Sequence, residues 1–314
     1  PRCGNRGGES SQPFGSSTVR RVKTRTIPID APLDLRATLR SLTAVWGRHT
    51  SDGWYRPMRT PEGPATLHVR RDAGGVHGQA WGGGAGWVID RLDRWIGLHD
   101  RPEDFEPEHT MLAELHRRAL GRRFGATGLV FEALLVAICS QKVTGKEAAI
   151  AMRSMARTMS DPAPGPLQLR LPPDPERIAA ARYHDFHRMR MERRRADTLI
   201  AAARDSARID RLTEVPSPDA RRYLERLRGV GKWSSAETAA ISHGDADAVS
   251  VGDYHVKHYV SWHLAAEPRG TDERMLELLE PFRPHRGRVV RLLESAGRYP
   301  RYGPRMTIRD YRDH

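Results

Sequence analysis

The sequence predicts an α+β protein, in which a small N-terminal domain with an antiparallel sheet precedes a mostly α-helical domain. Two observations carry this prediction. Before about residue 104, apolar and polar residues alternate on both sides of a glycine-containing turn, as in paired strands. From His109 onward, apolar residues recur at helical spacing. The predicted segments are a flexible tail at 1–17, an α+β domain at 18–104, a helical domain at 105–297 and a basic C-terminal tail at 298–314.

In the N-terminal domain, the turn residues Asp72-Ala73-Gly74-Gly75 separate two runs that favour strands, which is the pattern of a hairpin. Apolar residues spaced by three and four predict amphipathic helices on either side of it. The expected elements are a strand over Arg20–Ile27, a helix over Leu33–Trp46, the hairpin strands Ala65–Arg70 and Val76–Trp81, and a helix over Ala85–Leu98.

The helical domain contains a long apolar run in Leu129–Met159, broken by the polar residues Ser140-Gln141-Lys142-Val143-Thr144, called the polar knot here. Six prolines between Asp161 and Pro175 predict a connector. Other helices are predicted over Met111–Leu120, Glu176–Ala181, Ala196–Ala207, Glu273–Glu280 and Gly287–Ala296.

The segment from Leu224 to Leu264 carries the clearest sequence signal for a functional site. It reads as a helix ending at Leu227, the turn Arg228-Gly229-Val230-Gly231-Lys232, a second helix opening at Trp233, a loop, and a third helix after Asp253. Glycines let successive backbone N–H groups point the same way, and a new helix adds its positive end, so this turn predicts an anion site. A nucleic-acid phosphate is the expected anion.

Composition supports a polyanionic partner. The net charge is +13 and the pI about 10.4; an anionic membrane surface is the rival explanation. No apolar run approaches the roughly 20 residues that span a bilayer, and no secretory signal is evident, so a cytoplasmic, nucleoid-associated monomer without membrane contact is expected. The two cysteines, Cys3 and Cys139, predict no disulfide framework, and Cys139 is expected to pack in the core.

The order of these segments resembles the helix-hairpin-helix (HhH-GPD) DNA glycosylase superfamily. Residues 227–233, Leu-Arg-Gly-Val-Gly-Lys-Trp, match its hairpin, and residues 252–257, Gly-Asp-Tyr-His-Val-Lys, match its aspartate segment. The tryptophan at 233 and the Asp-Tyr-x-hydrophobic-Lys run are most similar to bacterial 3-methyladenine DNA glycosylase II, the alkylated-base glycosylases. The resemblance implies a helical HhH-GPD core behind an N-terminal antiparallel-sheet domain.

By this resemblance Asp253 is the catalytic residue, whose carboxylate stabilises the sugar cation and orients water. The simpler interpretation is that Asp253 only caps the following helix. Trp233 stands where bifunctional members carry a Schiff-base lysine, which implies a hydrolase without lyase activity. Its indole either stacks on an extruded base or packs in the core.

The resemblance implies a substrate pocket lined by Trp233, Tyr254, Glu237 and His285. Glu237 and His285 depart from the family, which commonly has aromatic residues there. A surface position for Glu237 and a loop-anchoring role for His285 are the alternatives.

The residues expected to bind DNA are Gly229, Val230, Gly231, Lys232, Ser234, Gln141, Lys142 and Lys257. Gln141 either meets the DNA gap or forms a hydrogen bond between helices, and Lys142 stands where an apolar wedge is usual. No cofactor is required, although the family's hairpin carbonyls can hold a sodium or potassium ion. Four cysteines would be needed for an iron–sulfur cluster, so none is expected.

Together these residues predict a monofunctional DNA N-glycosylase that flips out and hydrolyses alkylated purines, of the 3-methyladenine or 7-methylguanine type, from double-stranded DNA in base excision repair. Two alternatives remain open: a glycosylase for another damaged base, oxidised, deaminated or a bulky adduct, and a non-catalytic, structure-specific HhH DNA-binding protein.

Overall fold

A computed structural model describes residues 22–43, 45–297 and 299–304. Its N-terminal part is one antiparallel sheet with the strand order β1-β5-β4-β3-β2. The strands are β1 Val22–Ile27, β2 Arg48–Thr50, β3 Gly53–Thr60, β4 Gly63–Asp72 and β5 Gly75–Gly82. The predicted tail at 1–17 lies outside the described residues, as do Arg298 and residues 305–314 of the predicted C-terminal tail.

One face of the sheet is covered by helices. The elements concerned are α1 Leu35–Arg40, α2 Ala85–Asp90 and α3 Leu92–Trp95. Alternation along β4 places Leu67 and Val69 in a core shared with Trp54 and Trp95, whose rings are 6.1 Å apart. Burial of these aromatic and aliphatic side chains is what holds α2 and α3 against the strands.

The remainder is helical. The helices are α4 Thr110–Arg118, α5 Val130–Ser140, α6 Gly145–Thr158, α7 Pro175–Ala180, α8 Tyr183–Arg188, α9 Arg193–Arg204, α10 Ser206–Asp210, α11 Ser217–Leu224, α12 Lys232–Ser242, α13 Val256–Ala265, α14 Asp272–Leu279 and α15 Arg286–Leu293. Short 3₁₀ turns lie at Pro102–Asp104, Arg211–Glu214 and Glu280–Phe282.

The helices form two apolar cores. The first contains α5, α6 and α9 and includes Val230 of the hairpin. The second contains α4, α13, α14 and α15 and includes Val249 and Val256, which flank Asp253. Cys139 is buried in the first core, as predicted, and burial raises the pKa of its thiol to about 12.

The α+β prediction is confirmed, and several elements differ from their predicted bounds. The helix expected over Leu33–Trp46 is limited to α1, because the chain turns after Ser41 to enter β2. Strands β2 and β3 were not predicted. The helix before the hairpin ends at Leu224 instead of Leu227, and residues 225–229 form turns and a bend.

Candidate active site

A groove of about 960 Å³ lies between the polar knot, the hairpin turn and the aspartate segment. Such a volume is within the range of clefts that bind small molecules or single nucleotides. Nine of the residues predicted from the sequence line it: Gln141, Lys142, Gly229, Gly231, Trp233, Ser234, Asp253, Tyr254 and Lys257. Three segments far apart in the sequence therefore meet at one surface.

The hairpin turn is built on Gly229, whose φ is +87°. A Cβ there would lie 2.1 Å from Thr198 Oγ1, so the close contact with α9 requires glycine. Val230 is buried, and its backbone N–H donates to Leu227 O at 3.0 Å. Gly231 and Lys232 are exposed at the start of α12. The turn thus leaves the N-terminal N–H groups of an 11-residue helix open to an anion.

Asp253 is held by three N–H donors. Its Oδ1 accepts from the backbone N–H groups of His255 at 2.7 Å and Val256 at 3.1 Å, and its Oδ2 accepts from Trp233 Nε1 at 3.0 Å. A carboxylate offers about four lone-pair positions, so about one remains for a water or a substrate. Asp253 therefore supports the start of α13 and also presents an oxygen to the groove.

The aspartate segment, residues 252–257, is held in place by Asp272, which was not predicted as a site residue. Its Oδ1 accepts from the backbone N–H of Gly252 at 3.1 Å, and its Oδ2 lies 3.5 Å from Lys257 Nζ. Gly252 has a φ of +90°, which directs the chain sharply into Asp253. The only sequence signal for Asp272 is local, its position directly after the helix cap Thr271.

Gln141 links the polar knot to the hairpin. Its Nε2 donates to Gly229 O at 2.9 Å and to Ser234 Oγ at 2.8 Å, so in the free protein it makes the interhelical hydrogen bonds that were one alternative. Ser234 is buried under this contact. The next residue, Lys142, is exposed, with a φ of +54°, and lies on the rim of the groove.

Tyr254 is 41% exposed beside the groove. Its hydroxyl donates to Pro304 O at 3.4 Å, and its ring lies 5.5 Å from that of Tyr302. The residues after α15 thus pack on the aspartate segment. Basic side chains extend this surface, because Arg194 lines the groove and adjoins a recess formed with Arg193 and Arg228.

Two predicted pocket residues lie outside the groove lining. His285 is buried beside Phe105, with ring centroids 5.3 Å apart, and its Nδ1 accepts from Arg288 Nε at 3.3 Å. His285 thus does not line the groove as described, its contacts with Phe105 and Arg288 fit the anchoring alternative, and its role in a substrate pocket stays a prediction. Glu237 follows Trp233 by four residues on α12 and is half-buried, and Ser250 Oγ donates to its carboxylate.

Among the residues that the structure describes, no group of three or more His, Cys, Asp or Glu side chains is placed to bind a metal ion. The carbonyl oxygens of Leu227 and Gly229 already accept hydrogen bonds from Val230 N and Gln141 Nε2. A monovalent ion at the hairpin would share these carbonyls, and it stays a prediction. Within the described ranges no helix has the length and apolar character needed to cross a membrane.

Solved structures share this fold. A 3-methyladenine DNA glycosylase from Archaeoglobus fulgidus superposes with a TM-score of 0.74 at 18% identity, covering 87% of this chain and 98% of that one. An 8-oxoguanine glycosylase/lyase from Clostridium acetobutylicum, in complex with double-stranded DNA, gives 0.66 at 13% identity, with 84% and 91% covered. MBOgg1, in complex with a low-affinity DNA ligand, gives 0.69 at 17% identity, with 88% and 97% covered.

No curated protein matches the chain by sequence. The family model that matches residues 135–284 is described as HhH-GPD superfamily base excision DNA repair protein. That range contains the polar knot, the hairpin and Asp253, which are the parts that meet at the groove. Residues 135–284, the part of the chain that forms the groove, therefore match the HhH-GPD superfamily of base excision DNA repair proteins.

Proposed function

We propose that this protein is a monofunctional DNA glycosylase that flips out alkylated purines, of the 3-methyladenine or 7-methylguanine type, from double-stranded DNA and hydrolyses their N-glycosidic bond. The observation that carries the proposal is the Asp253 carboxylate, which three N–H donors fix in a groove beside an anion-binding hairpin. This arrangement supplies both a grip on DNA and a fixed charge for the chemistry.

Binding is assigned to the hairpin and its surroundings. The N–H groups at the start of α12, with Lys232 and Arg194, would hold phosphates on the strand that carries the damaged base. Such contacts position the strand and are independent of base sequence. The damaged nucleotide would then leave the helical stack and enter the groove, where the half-buried indole of Trp233 lines the wall. A cationic alkylated base gains from lying against an aromatic ring.

Bond cleavage is assigned to Asp253. As the C1′–N bond lengthens, the sugar acquires oxocarbenium character, and a fixed carboxylate beside it lowers the barrier. The same carboxylate can orient a water, whose oxygen bonds to C1′ and whose proton passes to Asp253, while the base departs with the electrons of the C1′–N bond. An alkylated base is cationic and leaves as a neutral molecule, so no separate proton donor is required.

Two positions near the groove support the absence of lyase activity. Position 233 is a tryptophan, which forms no Schiff base, and Lys257 is paired with Asp272. Borohydride treatment of the enzyme with its substrate should trap no covalent complex. A trapped complex that disappears in Lys142→Gln or Lys257→Gln would assign lyase activity instead.

Excision from a duplex containing 7-methylguanine tests the hydrolase itself. Asp253→Asn should lower the single-turnover rate by about 10²- to 10³-fold, because a fixed charge near the sugar is lost. Affinity for the same duplex should stay within about three-fold. Base loss is measured by strand cleavage after alkali. Binding by the wild type without loss of any damaged base would favour a non-catalytic DNA-binding protein.

A further inference from the structure

The residues that follow α15 pack against the part of the chain that carries Asp253. The ring of Tyr302 lies 3.9 Å from that of His258 and 5.5 Å from that of Tyr254, measured between ring centroids. Tyr302 is half-buried. Residues 299–304, called the C-terminal segment here, thus lie against the aspartate segment and the first turn of α13.

The C-terminal segment is anchored at its other end in the second helical core. Tyr299 is half-buried against that core, and its ring lies 5.9 Å from the buried ring of Tyr259. The rings of Tyr299 and Tyr302 are stacked, 5.8 Å apart with an angle of 15° between their planes. Stacking on an anchored ring holds Tyr302 beside α13.

Two hydrogen bonds join the C-terminal segment to the aspartate segment. One links the Tyr302 hydroxyl and His255 Nδ1, and in the other the Tyr254 hydroxyl donates to Pro304 O at 3.4 Å. Gly303 permits this close approach, since a Cβ there would lie 2.3 Å from the Tyr254 hydroxyl oxygen. Within the described part of the chain, Tyr302 is the only hydrogen-bond partner of the His255 ring.

His255 connects this contact to the candidate catalytic carboxylate. Its backbone N–H donates to Asp253 Oδ1 at 2.7 Å, the shortest of the three N–H contacts of that carboxylate. Packing does not enclose this stretch, because Gly252 and His255 are exposed and a Cβ at Gly252 would meet nothing within 4 Å. The carboxylate therefore depends on hydrogen bonds at both flanks. Asp272 bonds to Gly252 on the N-terminal side, and Tyr302 bonds to the C-terminal side.

We propose that Tyr302 is a positioning residue for base excision, which acts through His255 to hold the Asp253 carboxylate in its orientation at the groove. Tyr302 does not itself line the groove. A carboxylate that is already fixed needs no reorganisation as charge develops on the sugar, so loss of this contact should slow the chemical step and spare binding. The inference rests on the proposed function, because it assigns a role in that reaction.

Single-turnover excision from a duplex containing 7-methylguanine, at saturating enzyme, tests this role. Tyr302→Phe keeps the stacked ring and removes the hydroxyl, so the rate should fall about five-fold, as expected for one accessible hydrogen bond. Affinity for abasic-site DNA should change by less than about two-fold, because phosphate contacts are untouched. His255→Ala should lose as much rate as Tyr302→Phe, whereas His255→Asn, whose amide can replace Nδ1, should stay within about two-fold of the wild type.

The double variant Tyr302→Phe with His255→Ala should lose no more rate than either single variant, because all three break the same bond. The matched control is Tyr223→Phe, which removes a hydroxyl that donates to Asp205 Oδ2 at 2.9 Å, outside the groove lining. It should lower the melting temperature about as much as Tyr302→Phe and leave the excision rate unchanged.

The indole N–H resonance of Trp233 reports its bond to Asp253 without any substrate, and Trp233→Phe assigns it. It should shift in Tyr302→Phe and stay in place in Tyr223→Phe. An unchanged rate in Tyr302→Phe, or single losses that multiply in the double variant, overturns the inference and leaves the proposed function standing. A wild type that releases no damaged base overturns the proposed function, and an unshifted Trp233 resonance in Tyr302→Phe then overturns the inference as well.

Discussion

The orientation of Asp253 depends on a single side-chain donor. Two of its three partners are backbone N–H groups of its own helix start, so only Trp233 Nε1 ties the carboxylate to the hairpin side of the groove. Trp233 is therefore interpreted as a positioning residue as well as part of the groove wall.

Trp233→Phe should separate these two roles. Phenylalanine keeps an aromatic wall but has no N–H, so Oδ2 of Asp253 becomes free to rotate. The single-turnover rate is expected to fall about ten-fold, while affinity for abasic-site DNA, measured by fluorescence anisotropy, stays within about two-fold. Weaker DNA binding at an unchanged single-turnover rate would show that the indole contacts the extruded base and does not position the Asp253 carboxylate.

The two glycines of the hairpin should respond differently to alanine. Gly229→Ala forces a side chain against Thr198 at a φ of +87°, so it should lower the free energy of unfolding by about 2 kcal/mol. At Gly231 a Cβ meets nothing within 4 Å, so the fold should tolerate it. The added methyl would stand between the α12 N–H groups and a phosphate, and DNA affinity should fall about ten-fold.

Urea denaturation and a DNA-binding titration on both variants provide the check, each serving as the control for the other. If Gly231→Ala binds DNA as tightly as the wild type, the exposed N–H groups of this turn do not contact phosphate.

At the scale of elements, α5 is held at its start by a distant carboxylate. Asp210, in α10, accepts from the backbone N–H of Phe131 at 2.9 Å. Burial raises the pKa of Asp210 to about 6, although hydrogen bonds from Phe131 and Val130 oppose the shift. The folded state thus binds this proton more tightly than the unfolded chain, whose aspartate pKa is about 3.9.

The stabilising effect of protonating Asp210 is complete at low pH and is lost as pH rises through about 6. Asp210→Asn keeps the acceptor without the charge. Relative to the wild type, it should therefore gain about 1 kcal/mol of unfolding free energy on going from pH 5 to pH 7.5. Urea unfolding at both pH values measures this difference. An equal effect at both would mean that Asp210 is not desolvated.

The sequence predicted some elements well because their signals are local. The β4–β5 hairpin follows from Asp72-Ala73-Gly74-Gly75, and the break between α5 and α6 follows from polar residues whose Thr144 and Glu147 form a capping box. Strand β3 was not predicted from the sequence because it contains Pro57, and proline is uncommon within strands. Since β2 pairs only with Gly53–Tyr55, β3 has one neighbour at Pro57, where a missing N–H is tolerated.

In the candidate site, too, the features with a local sequence signal were predictable and those that depend on tertiary packing were not. The hairpin and Asp253 were predictable because one short segment specifies their backbone. The location of His285 outside the groove was not, since it depends on how α15 packs against α4 and α13, which nothing in its neighbouring residues encodes. The basic, amphipathic pattern of α15 does not reveal that Arg288 lies beside Asp100 and Arg291 beside Phe124.

At the scale of the whole molecule, the groove lies where the two helical cores meet. Val230 anchors the hairpin in the first core, whereas Val249 and Val256 anchor the aspartate segment in the second. Trp233 bridges them through its bond to Asp253. The phosphate grip and the proposed catalytic carboxylate therefore belong to separately packed units, so their distance depends on the stability of both.

The sheet is joined to the first helical core by a buried ion pair between Arg56 of β3 and Glu132 of α5, whose side chains are 2% and 11% exposed. Burial lowers the pKa of Arg56 to about 9. Glu132→Gln removes the counter-charge and should lower the unfolding free energy by about 3 kcal/mol in urea at pH 7. Arg56→Met combined with Glu132→Leu buries no charge and should regain at least half of that loss. A double variant no more stable than Glu132→Gln would mean that Arg56 stabilises the junction through its hydrogen bond to Leu42 O, at 3.0 Å, rather than through the ion pair.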